Sequence, residues 1–410
     1  METEIKYIDN LCVKITDGSH FSPEDDEKGQ YPMYSVKDME YNSFSNQDCK
    51  HIGQDVFDKL SRQDCRPLKD DIVIAKDGSY LKYVFKVKED LDACILSSIA
   101  ILRPNKKVID PDYFVYLMRS ASVKNAMANY VSGSALPRII LSDFKKMKIA
   151  ICSDLNKQKH IASILSAYDS QIENNQKRIK LLEQMAENLY KEWFVRFRFP
   201  GYENAEFEGG VPKGWKIEKL SDVFNFQEGP GIRNWQYVDE DGVKFINIRC
   251  IKNGDVKLES ASMISKEEAY GKYKHFLLRE NDIVMSCSGT LGRSAIIRKE
   301  HLPLCLNTSV IRFWPKIQEE DFSFLYGYLH STDFINKQSE MASGAAQVNF
   351  GPMHLKLMKL LVPPKKVRIE YHKVLLPIIQ LTLILKKEID TLSIQRDLLL
   401  PRLMSGKLSI

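Results

Sequence analysis

The chain repeats itself, and that repeat restricts its fold more than any other feature. Asp71-Ile72-Val73 followed by Gly78 recurs as Asp282-Ile283-Val284 followed by Gly289. The offset, 282 − 71 = 211, holds without a gap for 78 positions (71–148 against 282–359), of which 19 are identical. Lys88-Glu89 falls on Lys299-Glu300, Cys94 on Cys305, Ser98 on Ser309, Pro104 on Pro315 and Ser132-Gly133 on Ser343-Gly344. Register kept through predicted strands, loops and a helix marks a duplication, so each half must form the same supersecondary unit.

Both halves end in a long helical pattern, where the offset becomes 210. Tyr168, Asn175, Leu182 and Leu189 recur every seven residues, with Ile172, Ile179, Ala186 and Trp193 as a companion series. The later half has Ile378, Leu385, Leu392 and Leu399, with Thr382, Ile389, Arg396 and Leu403. Two apolar series in one heptad frame form a stripe for another helix. Packing in an ordinary bundle accounts for such a stripe, but the duplication favours two equivalent helices that pair with each other, antiparallel and related by a pseudo-two-fold axis. The fold class expected is α+β: two similar α/β units separated by two long antiparallel coiled-coil helices. The units span 1–152 and 215–362, the helical segments 153–198 and 363–410, and a Gly/Pro-punctuated linker 199–214. Within the units, strands are predicted at 71–74 and 98–102, and one helix each at 112–129 and 322–341.

Composition narrows the chemistry. With 44% apolar and 28% charged residues the chain has an ordinary core, and 59 Lys and Arg against 54 Asp and Glu give a net charge of +5, which permits a polyanion partner without requiring one. The start, Met1 to Lys6, lacks a secretory layout, no apolar run is long enough to span a membrane, and eight scattered cysteines read as reduced core residues; a cytoplasmic protein is expected. A GxxxxGK[ST] loop, a [DN]PP[FY] element and clustered metal ligands are all missing from the sequence, so no catalytic residue, metal or cofactor is expected on this chain.

Two similar units on a helical spacer suit a linear target with its own repeat, and duplex DNA, periodic at about 34–36 Å, is such a target. The candidate reading residues are polar side chains in predicted loops: Lys76, Ser79, Tyr80, Lys82 and Arg138 in the first unit. In the second they are Arg233, Asn234, Asn247, Arg249, Lys252, Asn253, Ser288, Thr290, Arg293, Gln347 and Asn349. Arg and Asn/Gln have the forks that read G and A edges, although each position taken singly is more often an ordinary surface residue. The helix-pairing candidates are Tyr168, Ile172, Ile179, Leu182 and Leu189 against Ile378, Leu385, Ile389, Leu392 and Leu399.

The order of these pieces resembles the specificity subunit of a type I restriction-modification system, over nearly the whole chain. Ile15-Thr16-Asp17-Gly18-Ser19-His20-Phe21-Ser22-Pro23 resembles the start of that family's first target-recognition domain. Leu181 to Phe194 resembles its central conserved helix, and Val211-Pro212-Lys213-Gly214-Trp215 the entry to its second recognition domain. Gly229-Pro230-Gly231-Ile232-Arg233 and Ser288 to Arg293 resemble motifs inside that domain, and Arg396 to Gly406 the distal conserved helix. One departure is Lys76-Asp77-Gly78-Ser79 where the second half has Cys287-Ser288-Gly289-Thr290. The resemblance implies a non-catalytic reader of double-stranded DNA joined by two modification (methyltransferase) subunits and two ATP-dependent restriction subunits. S-adenosylmethionine, ATP and Mg would belong to those partners. The competing reading is a repeat-built protein-interaction scaffold that does not read DNA.

Overall fold

The computed structural model describes residues 2–78, 82–130, 138–316, 319–342 and 349–408. It forms two compact units, Met1–Glu173 with Asp390–Ile410, and Asn174–Ile389. Each long helix, Leu155–Tyr190 and Lys365–Met404, therefore contributes residues to both units.

In the first unit a four-stranded antiparallel sheet runs in the order Cys12–Asp17, Ile99–Pro104, Ile72–Ala75, Val84–Lys86. Ile72-Val73-Ile74-Ala75 is an unbroken apolar run because both faces are covered. Ile72 and Ile74 pack with Ile8, Leu11, Tyr113 and Phe114, whereas Val73 and Ala75 pack with Tyr34, Phe85 and Ile99. A second sheet orders Lys50–Ile52, Tyr31–Tyr34 and Cys94–Ile95, the last pair parallel.

The second unit builds the same four-stranded sheet, while its other sheet has one strand more, Tyr237–Val238. The four strands of the former are Phe224–Glu228, Val310–Pro315, Ile283–Ser286 and Ser294–Ile296. In its other sheet Gly242–Ile246 lies parallel to Leu304–Leu306. The duplication thus extends into 12–52 and 224–265, where sequence identity is no guide. Pairing shows it directly: Asp17 faces Ala100 as Glu228 faces Ile311, and 100 + 211 = 311.

The single helices expected at 112–129 and 322–341 are each two. Pro111–Arg119 breaks from Ala121–Ala128, and Asp321–Leu329 from Thr332–Met341. The cause is a buried serine at equivalent positions, 120 + 211 = 331. Ser120 Oγ donates to the Leu117 carbonyl (2.6 Å) and accepts from Val123 N (3.4 Å); Ser331 Oγ donates to Tyr328 (2.7 Å) and accepts from Phe334 N (3.3 Å). A serine that caps the next helix ends the previous one, and apolar periodicity on both sides conceals the break.

Within each unit the two long helices lie side by side. In the first, Arg396 donates to Asp169 (2.6 Å), and Leu403 shares a core with Ile161 and Leu165. In the second, Lys386 donates to Glu183 (3.0 Å) while Tyr190 meets Tyr371 edge-on at 6.5 Å, so the directions are opposed. Ile172, Ile179, Ala186, Trp193, Thr382, Leu385, Arg396 and Leu403 are buried. Tyr168, Leu182, Leu189, Ile378, Ile389, Leu392 and Leu399 are half-buried along the same stripe. Segment 199–214 is tied down at both ends, since Phe199 and Trp215 enter the core with Phe194, Phe324 and Tyr371, and it carries the short hairpin Phe207–Glu208 with Val211–Pro212.

Candidate nucleic-acid interface

Two loops per unit leave the four-stranded sheet at matching points. The first follows Cys12–Asp17 and Phe224–Glu228. Gly18 and Gly229 sit so close to the parallel strand that a Cβ would lie 2.1 Å from the Ile95 carbonyl oxygen and 2.5 Å from that of Leu306. Only glycine allows that approach, and 95 + 211 = 306, so both loops start from one geometry. Beyond it the second unit exposes Arg233, Asn234 and Trp235, the indole 80% accessible; the first exposes Phe21 at 71%. Neither aromatic is among the candidate reading residues, although Phe21 lies in the Ile15–Pro23 motif; a ring in a polar, Gly/Pro-marked loop with no periodicity around it is the available signal.

The second loop follows Ile72–Ala75 and Ile283–Ser286. Asp77 bridges Arg138 as Ser288 bridges Asn349, Ile139 N donates to the Lys76 carbonyl (3.0 Å) as Phe350 N does to Cys287 (2.8 Å), and Gly78 and Gly289 take φ +68° and +67°. At these described positions the backbone is shared, and the sequence departure changes the side chains it carries. In the first unit Lys76 is buried, 3.3 Å from Asp17 and 3.7 Å from Asp77, and Arg138 grips Asp77 through two 2.9 Å bonds. In the second unit Cys287 and Glu228 occupy the positions of Lys76 and Asp17. Burial pushes the Cys287 thiol up to about 12, with nearby Glu228 adding to it, and burial raises the Glu228 carboxyl against the hydrogen bond from Thr308. Ser79, Tyr80 and Gln347 lie outside the described residues.

Ser288, Thr290 and Arg293 share a turn fastened by Ser286, whose Oγ donates to the Thr290 carbonyl (2.6 Å) and accepts from Arg293 N (3.0 Å). Asn247 caps the next short turn by accepting from Arg249 N (2.9 Å), leaving Arg249 exposed. Asn253-Gly254, at φ +52° and +70°, turns the hairpin between Ile251–Lys252 and Asp255–Val256, which explains an asparagine there.

Lys252, Asn253 and Arg293 converge on a cleft of about 1030 Å³ in the second unit, faced by Lys180, Glu183 and Glu187 of the first long helix and by His330. The first unit has its counterpart, about 320 Å³, lined by Lys82, Arg119, Lys124 and Arg396. Lys82 and Arg293 are equivalent, 82 + 211 = 293, so each unit presents an exposed cation at the same place. Arg233 and Asn234 are not among the residues lining either cleft. His330 is held by its Nδ1–H to the Tyr326 carbonyl (2.7 Å), which leaves Nε2 to accept from Ser294 (2.8 Å). Among the described residues no group of three His, Cys, Asp or Glu is placed to hold a metal, and no helix is long and apolar enough to cross a membrane.

Comparison with known proteins identifies the duplicated unit. The family model for the type I restriction modification DNA specificity domain matches twice, at residues 2–184 and 212–393. The MjaIX and MjaVIII type I restriction enzyme specificity subunits of Methanocaldococcus jannaschii are 26% and 25% identical, over 73% and 86% of this chain and 69% and 83% of theirs. The HindI specificity subunit of Haemophilus influenzae is 24% identical over 80% of this chain and 84% of its own. The crystal structure of a type I restriction-modification S subunit from M. genitalium has the same fold, with a TM-score of 0.58 at 17% identity, covering 98% of this chain and 96% of that one.

Proposed function

The chain belongs to the type I restriction-modification DNA specificity family, and on that premise we propose that each unit reads one half of a bipartite site in double-stranded DNA while the long helices set the interval between the halves. It is a specificity subunit with two DNA recognition domains. Two modification subunits and two restriction subunits join it in this reading, bringing S-adenosylmethionine, ATP and Mg, and the chain itself contributes recognition without catalysis. The observation that carries the reading is one loop frame built twice and furnished differently: Lys76, Asp77 and Arg138 in one copy, Cys287, Ser288 and Asn349 in the other. A common backbone with unlike side chains is what two readers of unlike half-sites require. A protein-interaction scaffold gives no reason for the unlike loops and is not favoured by the family match.

The test is to express the chain with its modification subunit in a host free of adenine methylation and map the modified motif by sequencing. A split motif is expected, and exchanging residues 1–152 for those of a relative should change one half and leave the other intact. A continuous motif, or a change in both halves, would contradict the proposal. The chain alone, incubated with DNA, Mg and S-adenosylmethionine, is expected to give no product.

A further inference from the structure

Phe21 and Trp235 are large aromatics held outward by fixed loops. Trp235 sits in the short turn Asn234–Gln236, and Gln236, 8% exposed, anchors that turn from below. Its Oε1 accepts from Arg233 N (2.9 Å), and its Nε2 donates to Glu268 (2.7 Å) and the Tyr273 hydroxyl (3.1 Å). Phe21 is set by Ser19, whose Oγ accepts from Phe21 N (3.2 Å) and donates to the Phe21 carbonyl (2.6 Å), while Ser19 N donates to Ile95 (2.8 Å). Lys50 donates to the Ser22 hydroxyl (3.0 Å) and the Pro23 carbonyl (3.1 Å) on the far side.

A single exposed ring is ordinary on a protein surface. Two of them on equivalent loops, each braced by a buried or backbone-bonded neighbour, are not explained by the fold, which gains nothing from either ring. A braced aromatic loses little entropy on binding, and beside Trp235 stand the exposed Arg233 and Asn234, suited to phosphate and base edges.

Resting on the DNA-reading function above, we infer that Phe21 and Trp235 are the apolar base contacts of the two units, each pressed against a thymine methyl or a base step of its own half-site. Apolar wedges and methyl contacts of this kind add affinity and sequence preference together. The exposed Arg233 and Asn234 beside Trp235 favour duplex DNA as the ligand, and a partner protein is an outcome of the test.

Intrinsic fluorescence tests the inference on the full chain complexed with its modification subunit. Of the other tryptophans Trp193 and Trp215 are buried and Trp314 is half-buried, and the difference between wild type and Trp235→Phe isolates the exposed indole. Adding a duplex that carries the mapped motif should quench and shift that emission, and a scrambled duplex should do so less. Trp235→Ala should weaken motif binding roughly 5- to 100-fold and relax discrimination in one half-site only; Phe21→Ala should do the same in the other. Unchanged emission together with affinity within about twofold, while the motif is still bound, overturns the inference and leaves the DNA-reading function standing. Loss of assembly with the modification subunit in Trp235→Ala overturns it too, by assigning the ring to a protein face. If the wild-type complex fails to distinguish motif from scrambled duplex, the DNA-reading function itself falls.

Discussion

Arg396 of the second long helix donates to Asp169 of the first at 2.6 Å, and both are buried. Asp169 also accepts from the Tyr116 hydroxyl (2.7 Å) and from Arg119 (3.3 Å), and Tyr41 lies over both guanidinium groups at 4.1 and 4.8 Å. One carboxylate thus gathers two cations from different elements of the first unit. Its removal leaves buried Arg119 without a carboxylate and Arg396 with only the exposed Asp397 (2.8 Å), whereas removal of Arg396 leaves the carboxylate with two partners. Asp169→Ala should cost about 3–5 kcal/mol and Arg396→Ala about 1.5–3 kcal/mol, in that order, by urea unfolding. The reverse order would mean that the helix pair does not depend on this centre.

Gly18 and Gly229 mark where each first loop leaves its sheet. An added Cβ meets backbone in both cases and has nowhere to go. Gly229→Ala is expected to shift the second unit's loop, lower the melting temperature by several degrees and blur only the half-site that unit reads. Gly18→Ala should do the same for the other half. Melting curves and motif mapping on the two variants check this.

Lys82 and Arg293 are equivalent exposed cations, each beside its unit's cleft. If they neutralise phosphates, alanine at either position should weaken binding to motif and scrambled duplex alike. The slope of log affinity against log salt should fall by about 0.9 for each. A change confined to the motif duplex would instead make the residue a base reader.

Helix length should set the interval between half-sites. Four residues inserted after Glu173 and four after Ile389, at the boundaries of the compact units, lengthen both helices by about 6 Å at 1.5 Å per residue. That corresponds to nearly two base pairs. The mapped motif should gain about two base pairs of spacer with unchanged half-sites, and altered half-sites with the old spacer would contradict it.

Acid should weaken the second unit through His330. Burial lowers its imidazole pKa below 6.5, with Lys386 in the same direction, while the Tyr326 carbonyl, Glu183 and Glu187 pull it up. As the pH falls through 6.5 the unfolded ring takes up a proton before the folded ring does. The unfolded state then binds more protons, so stability declines across that window and levels off once the folded ring is charged. Thermal melts between about pH 7.5 and 5.5 should show a smaller loss in His330→Gln than in wild type.

Much of this architecture was legible in the residues alone. The 211-residue repeat established two like units, and the heptad series from Tyr168 to Leu189 and from Ile378 to Leu399 marked the helix faces that pair. Both signals are local: a buried stripe leaves its period in the side chains that form it, and a duplication leaves register. The state of a loop residue is not local. Lys76, a candidate reader in sequence, is neutralised by Asp17, 59 positions earlier, which only the sheet pairing brings within 3.3 Å. The serine breaks at Ser120 and Ser331, the passage of Gly18 and Gly229 against a neighbouring carbonyl, and the outward set of Trp235 through buried Gln236 were decided in the same way. Each depends on which distant atom arrives opposite, and hydrogen bonds and close contacts over a few ångströms register that only after the chain has folded.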